Sequence, residues 1–257
     1  MNGSFSKMES TTVSNYDISV ITCSINQDIA LEKTLASINS QIDVRVESLV
    51  ILSKKGDKLS HIDFFKSKVI TQEPKGIYGA MNLGLKSAQG DYCIFLNAGD
   101  TFAEPNSLSK MFYALESHEW GYGGIKRISV DKLKSTSYVF KPYIGVLHSL
   151  GLKYVPHPAT LLKTKTAKDF GGFDEKYKVA ADQKLILEFA KKYKPSVSRE
   201  IMVIFALGGA SSNRSWQSIV LDFKEIHSDI YGKGLIRRAL FSPLWKIVSL
   251  LRFALRK

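Results

Sequence analysis

Short apolar, β-branched runs alternate with helix-spaced ones through the first hundred residues. Residues 17–23 (DISVITC) predict a strand, and residues 27–40 then place Ile29, Leu31, Leu35 and Ile38 at helical spacing. Residues 46–52 predict a second strand, 68–71 a short third, 77–88 a helix ended by Gly90, and 92–96 (YCIFL) a buried strand. Asn97-Ala98-Gly99-Asp100 breaks that run, and Pro105 stands where a proline opens the first turn of another helix. Such alternation predicts an α/β domain: a parallel sheet with helices on both faces. Ligands of these sheets lie off the carboxyl ends of the strands, which makes the loop after the fourth strand a candidate site.

The second half is less regular. Residues 119–130 and 135–140 predict strands, 142–158 a loop-rich stretch, 159–163 a short strand, 164–170 a helical turn and 171–174 (GGFD) a tight turn. Ala181–Lys192 predicts a helix, Ser196–Ala206 a strand ended by Gly208-Gly209, and Trp216–Tyr231 a further helix. No repeat or low-complexity linker divides the chain. The simplest partition is a disordered tail over 1–16, one domain over 17–213, and C-terminal helices over 214–257.

Charge sharpens this picture. The 257 residues carry 36 Lys+Arg against 24 Asp+Glu, a net charge of +12, and seven of the bases fall within 233–257, where there is no acid. From Pro243 the segment reads PLWKIVSLLRFALRK; on a helix Ser242, Lys246, Ser249, Arg252 and Arg256 form one polar stripe, and apolar residues from Leu244 to Leu255 cover the rest. A broad apolar face edged with bases and carrying a Trp suits a helix lying in the headgroup layer of an anionic membrane. The other reading is a core-packing or dimerising helix with a solvated basic stripe. A nucleic-acid binder would spread its charge over a folded face, and none of the usual modules is present. Cys23 and Cys93 sit in apolar runs without metal-ligand spacing, which fits a reducing compartment. The N-terminal residues lack the apolar core of a signal peptide, and no uninterrupted apolar stretch is long enough to span a bilayer.

Three side chains are candidates for chemistry. Asp100 follows a buried strand in a glycine-containing turn: it is either a turn aspartate or a carboxylate at the sheet's edge that can bind a divalent cation. Asp182 opens a helix, where an acid favours the helix dipole or acts as a general base at the helix mouth. His157 lies between Pro156 and Pro158, which hold it in a rigid turn.

The run PKGIYGAMNLGLKSAQGDYCIFLNAGDTF, residues 74–102, resembles the bacterial family 2 glycosyltransferases, especially those that build capsular, O-antigen or exopolysaccharide chains. ISVITCSIN (18–26) is similar to their opening strand. PHPATLLKTKTAKDFGGFDEKYKVAADQKL (156–185) is similar to their acceptor half, and Gly208-Gly209-Ala210-Ser211 to their closing element. The resemblance covers about residues 17–213, with the motifs in order. It implies a GT-A fold, a mostly parallel, Rossmann-like mixed sheet flanked by helices, and an inverting transfer of sugar from a nucleotide-diphosphate sugar to a hydroxyl of a glycan acceptor. That acceptor would be lipid-linked, in bacterial surface polysaccharide synthesis.

The implied roles follow by position. Asp182 would be the catalytic base and Asp100 the ligand of Mn2+ or Mg2+, with Asn97 in place of the motif's first acid. Ser24, Asn26, Asn97 and Asp57 would bind the donor, and His157 would serve the acceptor side or a phosphate. The enzyme would sit in the cytoplasm, on the inner face of the cytoplasmic membrane, docked through 233–257. Two departures stand out. The family's aspartate in GIYDAMN is Gly79, and its acidic segment after the second strand reads Leu52-Ser53-Lys54-Lys55-Gly56-Asp57. They favour the alternative, a degenerate member that binds a glycan or partner without turnover; retention of Asp100 and Asp182 favours the enzyme.

Overall fold

The structure, a computed structural model, describes residues 14–25, 29–53, 64–73, 75–128, 135–138, 142–207 and 216–232. Asn26, Lys54, Lys55, Asp57, residues 1–13, residues 208–215 and the basic segment 233–257 lie outside the described residues. The strands are β1 (Ile18–Ser24), β2 (Val46–Ser53), β3 (Lys68–Gln72), β4 (Tyr92–Phe95), β5 (Thr101–Phe102), β6 (Trp120–Ile128), β7 (Ser135–Tyr138), β8 (Thr160–Lys163) and β9 (Ser196–Ala206). The helices are α1 (Ile29–Asn39), α2 (Gly76–Ser87), α3 (Ser107–Leu115), α4 (Gly145–Ser149), α5 (Thr164–Asp169), α6 (Ala181–Lys192) and α7 (Trp216–Tyr231), with a 3-10 turn at His157–Ala159.

The nine strands form one sheet in the order β3-β2-β1-β4-β8-β6-β9-β5, with β7 on β6. The first four are mutually parallel. Beyond β4 the sheet is mixed: β8 is antiparallel to β4 and β6, β9 runs parallel to β6, and β5 antiparallel to β9.

Side chains of the parallel strands alternate between two cores, as the pleat requires. Ile18, Val20, Val50, Leu52, Ile94 and Leu96 pack with α1 and α3, through Leu31, Leu35, Leu108 and Met111. Ile21, Cys23, Leu49, Ile51, Cys93 and Phe95 pack with α2 and α6, through Met81, Leu85, Leu185 and Phe189. Burial on both faces is why these strands read as continuous apolar runs. The C-terminal α7 joins the second core through Phe223, Ile226 and Ile230, and Asp229 pairs with Lys176 and accepts the Tyr177 hydroxyl.

Several local expectations change. Pro105 lies in the turn ahead of α3, which begins at Ser107. Asn106 supplies no side-chain cap there; instead Gln41 Oε1, just past the end of α1, accepts the Leu108 N–H at 2.9 Å. The stretch 142–158 holds α4 and the start of the 3-10 turn, both too short to show a period. Strand β5, two residues long, falls in what the pattern reads as loop.

Helix α2 is anchored at its C-terminal end, which aims its first turn at the carboxyl edge of the sheet. Glu47, buried on β2, accepts the Ser19 hydroxyl at 2.5 Å and the Gln89 N–H at 2.7 Å. The Ser19 oxygen accepts the Gly90 N–H at 2.8 Å. Gly90 runs so close to β1 that a Cβ there would lie 2.5 Å from the Ser19 nitrogen. Gly90→Ala is therefore expected to destabilise the fold by more than the roughly 1–3 kcal/mol usual for overpacking, since backbone rather than a side chain must yield. Thermal unfolding checks this, and a melting temperature equal to wild type would contradict it.

Candidate active site

The loop after β4 is an extension of the sheet before it is a loop. Leu96 N–H bonds Ile21 O at 3.0 Å and Ala98 N–H reaches Cys23 O at 3.5 Å, so the chain stays alongside β1 to its end. It then turns: Asp100 N–H bonds Asn97 O at 3.0 Å, and Gly99 takes φ +102°, a conformation suited to glycine.

Helix α1 holds this turn with a polar face. Thr34 Oγ1 accepts the Gly99 N–H at 3.0 Å and donates to Asp100 O at 2.7 Å. Ser37 Oγ accepts the Phe102 N–H at 3.3 Å, and Gln41 Nε2 donates to Glu104 O at 2.9 Å. Thr34 and Ser37, three residues apart, share one face of α1, and Gln41 follows just past its end at Asn39. Sequence reasoning missed them because it followed the apolar positions; their spacing was the available signal.

Asp100 faces away from solvent, at 4% exposure, and its Oδ1 accepts the Ala206 N–H at the end of β9, at 3.0 Å. Burial pushes its carboxyl up to about 7, against the opposing pull of that N–H. No ion pair reaches it among the described residues. Asn97 Oδ1 is buried without a hydrogen-bond partner. Together the two residues offer hard oxygen donors, one of them a carboxylate, which suits Mg2+ or Mn2+ completed by phosphate oxygens and water. Among the described residues no cluster of three His, Cys, Asp or Glu side chains could hold a metal alone, so the fit is to a cation bound jointly with a diphosphate.

Asp182 stands in the first turn of α6, half-buried. Its Oδ1 accepts the Tyr78 hydroxyl from α2 at 3.1 Å, and its Oδ2 accepts Gln183 Nε2 at 3.1 Å. Tyr78 also contacts Val179 O and stacks on Phe173, ring centroids 5.5 Å apart. Phe173 meets Phe95 edge-on at 4.8 Å, and His157 stacks on Phe95 at 5.4 Å. Tyr78, Phe173, Phe95 and His157 thus form an aromatic floor near Asp182, and Phe95 is the last residue of β4.

His157 is buried, and its Nε2 has no partner. Burial pushes its imidazole below the ordinary range, although the Asp182 charge pulls it upward. Burial, followed by the Asp182 carboxylate, pushes the Tyr78 phenol well above its ordinary range, so it keeps its proton.

The structure therefore gathers Asp182, His157 and Tyr78 on the α2–α6 side of β4. Asp100 lies on the other side, against α1 and β9, and Asn97 opens the turn just past the strand's end. Ser24 closes β1 at the same edge; Asn26 and Asp57 lie outside the described residues. At Gly79, a Cβ would come within 3.6 Å of Glu175 Oε2, so an acid from the turn ahead of α6 faces the position where α2 lacks one.

Residues 19–142 match the family model described as "Glycosyl transferase family 2". The uncharacterized glycosyltransferase Rv1514c of Mycobacterium tuberculosis (strain ATCC 25618 / H37Rv) is 28% identical over 220 residues, covering 81% of this chain and 82% of that protein. Among solved structures, S. aureus TarS 1-349 in complex with UDP-GlcNAc superposes with a TM-score of 0.64 at 19% identity, over 83% of this chain and 66% of that one. The mannosyltransferase PcManGT from Pyrobaculum calidifontis, in complex with GDP-Man and Mn2+, gives a TM-score of 0.60 at 16% identity, over 92% of this chain and 70% of that one. The chain is a glycosyltransferase with a GT-A-like fold, and its first half is similar to family 2.

Proposed function

We propose that this glycosyltransferase moves a sugar, with inversion, from a nucleotide-diphosphate sugar to a hydroxyl of a glycan acceptor, with Asp182 as the base. The observation that carries the reading is the Asp182 carboxylate, held by Tyr78 and Gln183 at the mouth of α6 beside a buried His157. In a single displacement the acceptor oxygen attacks the anomeric carbon and the bond to the diphosphate breaks, its electron pair leaving with the diphosphate. Asp182 takes the proton that the acceptor hydroxyl releases, a contribution of about 10²–10⁴-fold. His157 Nε2, buried without a partner, would hydrogen-bond the acceptor or a phosphate.

Asn97 and Asp100 would hold Mn2+ or Mg2+ with the donor; a bound cation offsets charge on the departing diphosphate. Ser24, Asn26 and Asp57 would line the nucleotide side, with Glu175 supplying the acid that Gly79 lacks. The bound nucleotides of the two solved relatives support a nucleotide-sugar donor.

The acceptor we propose is a lipid-linked glycan of bacterial surface polysaccharide synthesis, reached on the inner face of the cytoplasmic membrane. Among the described residues no helix is long and apolar enough to cross a membrane. The basic, Trp-bearing segment 233–257 would instead lie on anionic lipid and raise the local concentration of enzyme at its acceptor.

A melting panel of UDP, GDP, dTDP and CMP with Mn2+ identifies the donor class, because a ligand of the native state raises the melting temperature. With the matching sugar nucleotide, Asp182→Asn is expected to lose about 10²–10⁴-fold in turnover while nucleotide affinity stays within a few-fold of wild type. Near-normal turnover would place the base elsewhere.

Asp100 makes a separate, pH-dependent expectation. Its folded value of about 7 lies above the ordinary 3.8, so the folded chain keeps a proton that the unfolded chain releases. Stability from this group is thus full below about pH 4, is lost as pH rises to about 7, and is flat above. In EDTA, Asp100→Asn should match wild type near pH 4 and melt several degrees higher at pH 8, about 1 kcal/mol being worth roughly 2–4 °C at this size. A melting difference independent of pH would refute the buried, uncompensated carboxyl.

A further inference from the structure

Gln183, next to the proposed base, spends its whole amide on two partners. Nε2 donates to Val155 O at 3.0 Å and to Asp182 Oδ2 at 3.1 Å, while Oε1 accepts the Val155 N–H at 3.4 Å. A side-chain amide has two N–H donors, and both are used. Flipping the head would turn its oxygen toward the Val155 carbonyl and the Asp182 carboxylate, two acceptors, so one orientation is enforced.

Val155 is buried and directly precedes Pro156-His157. The same amide therefore fastens the backbone that carries His157 to the helix that carries Asp182. His157 is held further by its stacking on Phe95 and its edge contact with Phe173. On the opposite oxygen of Asp182, the Tyr78 hydroxyl at 3.1 Å shares its single proton between that oxygen and Val179 O. Gln183 is therefore the full donor to the carboxylate, and each oxygen keeps acceptor capacity for an incoming hydroxyl.

We propose that Gln183 is a positioning residue for the transfer: it orients the Asp182 carboxylate through Oδ2 and locks the 155–157 segment, with His157, against the start of α6. This inference rests on the reading of Asp182 as the base.

The test uses the full chain with Gln183→Met and the near-isosteric Gln183→Glu, each first checked by thermal melting. Turnover with the sugar nucleotide found by the melting panel should fall by about tenfold or more in kcat in Gln183→Met, with little change in donor KM. In Gln183→Glu, where a like charge replaces a donor beside Asp182, kcat should fall at least as far. A merely structural glutamine would lower the melting temperature and leave kcat of the folded enzyme where it is. Wild-type kcat in either folded variant, with Asp182→Asn inactive, overturns the inference while leaving the base assignment intact. Full turnover in Asp182→Asn removes the base assignment itself and, with it, any catalytic part for Gln183.

Discussion

The site depends on how one four-residue turn is held. Asn97–Asp100 leaves β4 at the junction between the parallel strands and the mixed half of the sheet. It is tied from one side by Thr34 on α1 and from the other by the Ala206 N–H on β9, which meets Asp100 Oδ1. Both ties are short hydrogen bonds to buried groups, which cost more to break than exposed ones because no water replaces the lost partner. They join the two halves of the sheet at the point where, in folds of this kind, ligands are received.

A second set of contacts brings Asp182 to the same strand. The residue is far from β4 in sequence, and its position is set by rings: Tyr78 on Phe173, Phe173 on Phe95, Phe95 on His157. Stiff aromatic packing places the carboxylate with little conformational freedom left to lose. The two acids also differ in electrostatic setting. Asp100 is buried with one backbone donor and its proton is held to about pH 7, whereas Asp182 is half-buried with two side-chain donors. That contrast suits different tasks, one acid accompanying a cation and the other accepting a proton.

How much of this was legible follows from the physics of each element. Strands β1, β2 and β4 were readable because burial on both faces writes an uninterrupted apolar run, and α6 and α7 because their apolar positions repeat at helical spacing. Strand β5 and helix α4 were hidden: two or five residues cannot display a period. Thr34 and Ser37 were overlooked because polar residues in an amphipathic helix read as its solvent face, although here that face meets a turn, and Gln41 because it lies past the helix end. The pairing of Tyr78 with Asp182 spans 104 positions, and no local pattern encodes it. The motif resemblance named Asp100 and Asp182, but not that Asp100 would be turned inward against β9.

The central claim is that the turn after β4 and the carboxylate at the start of α6 serve one donor site. Crystals soaked with Mn2+ and the nucleoside diphosphate that binds would test it through the anomalous signal of the metal. The account expects the ion within coordination distance, about 2 Å, of an Asn97 or Asp100 oxygen, and the diphosphate between that ion and Asp182. An ion remote from the turn, or a diphosphate on the side of β4 away from Asp182, would contradict it.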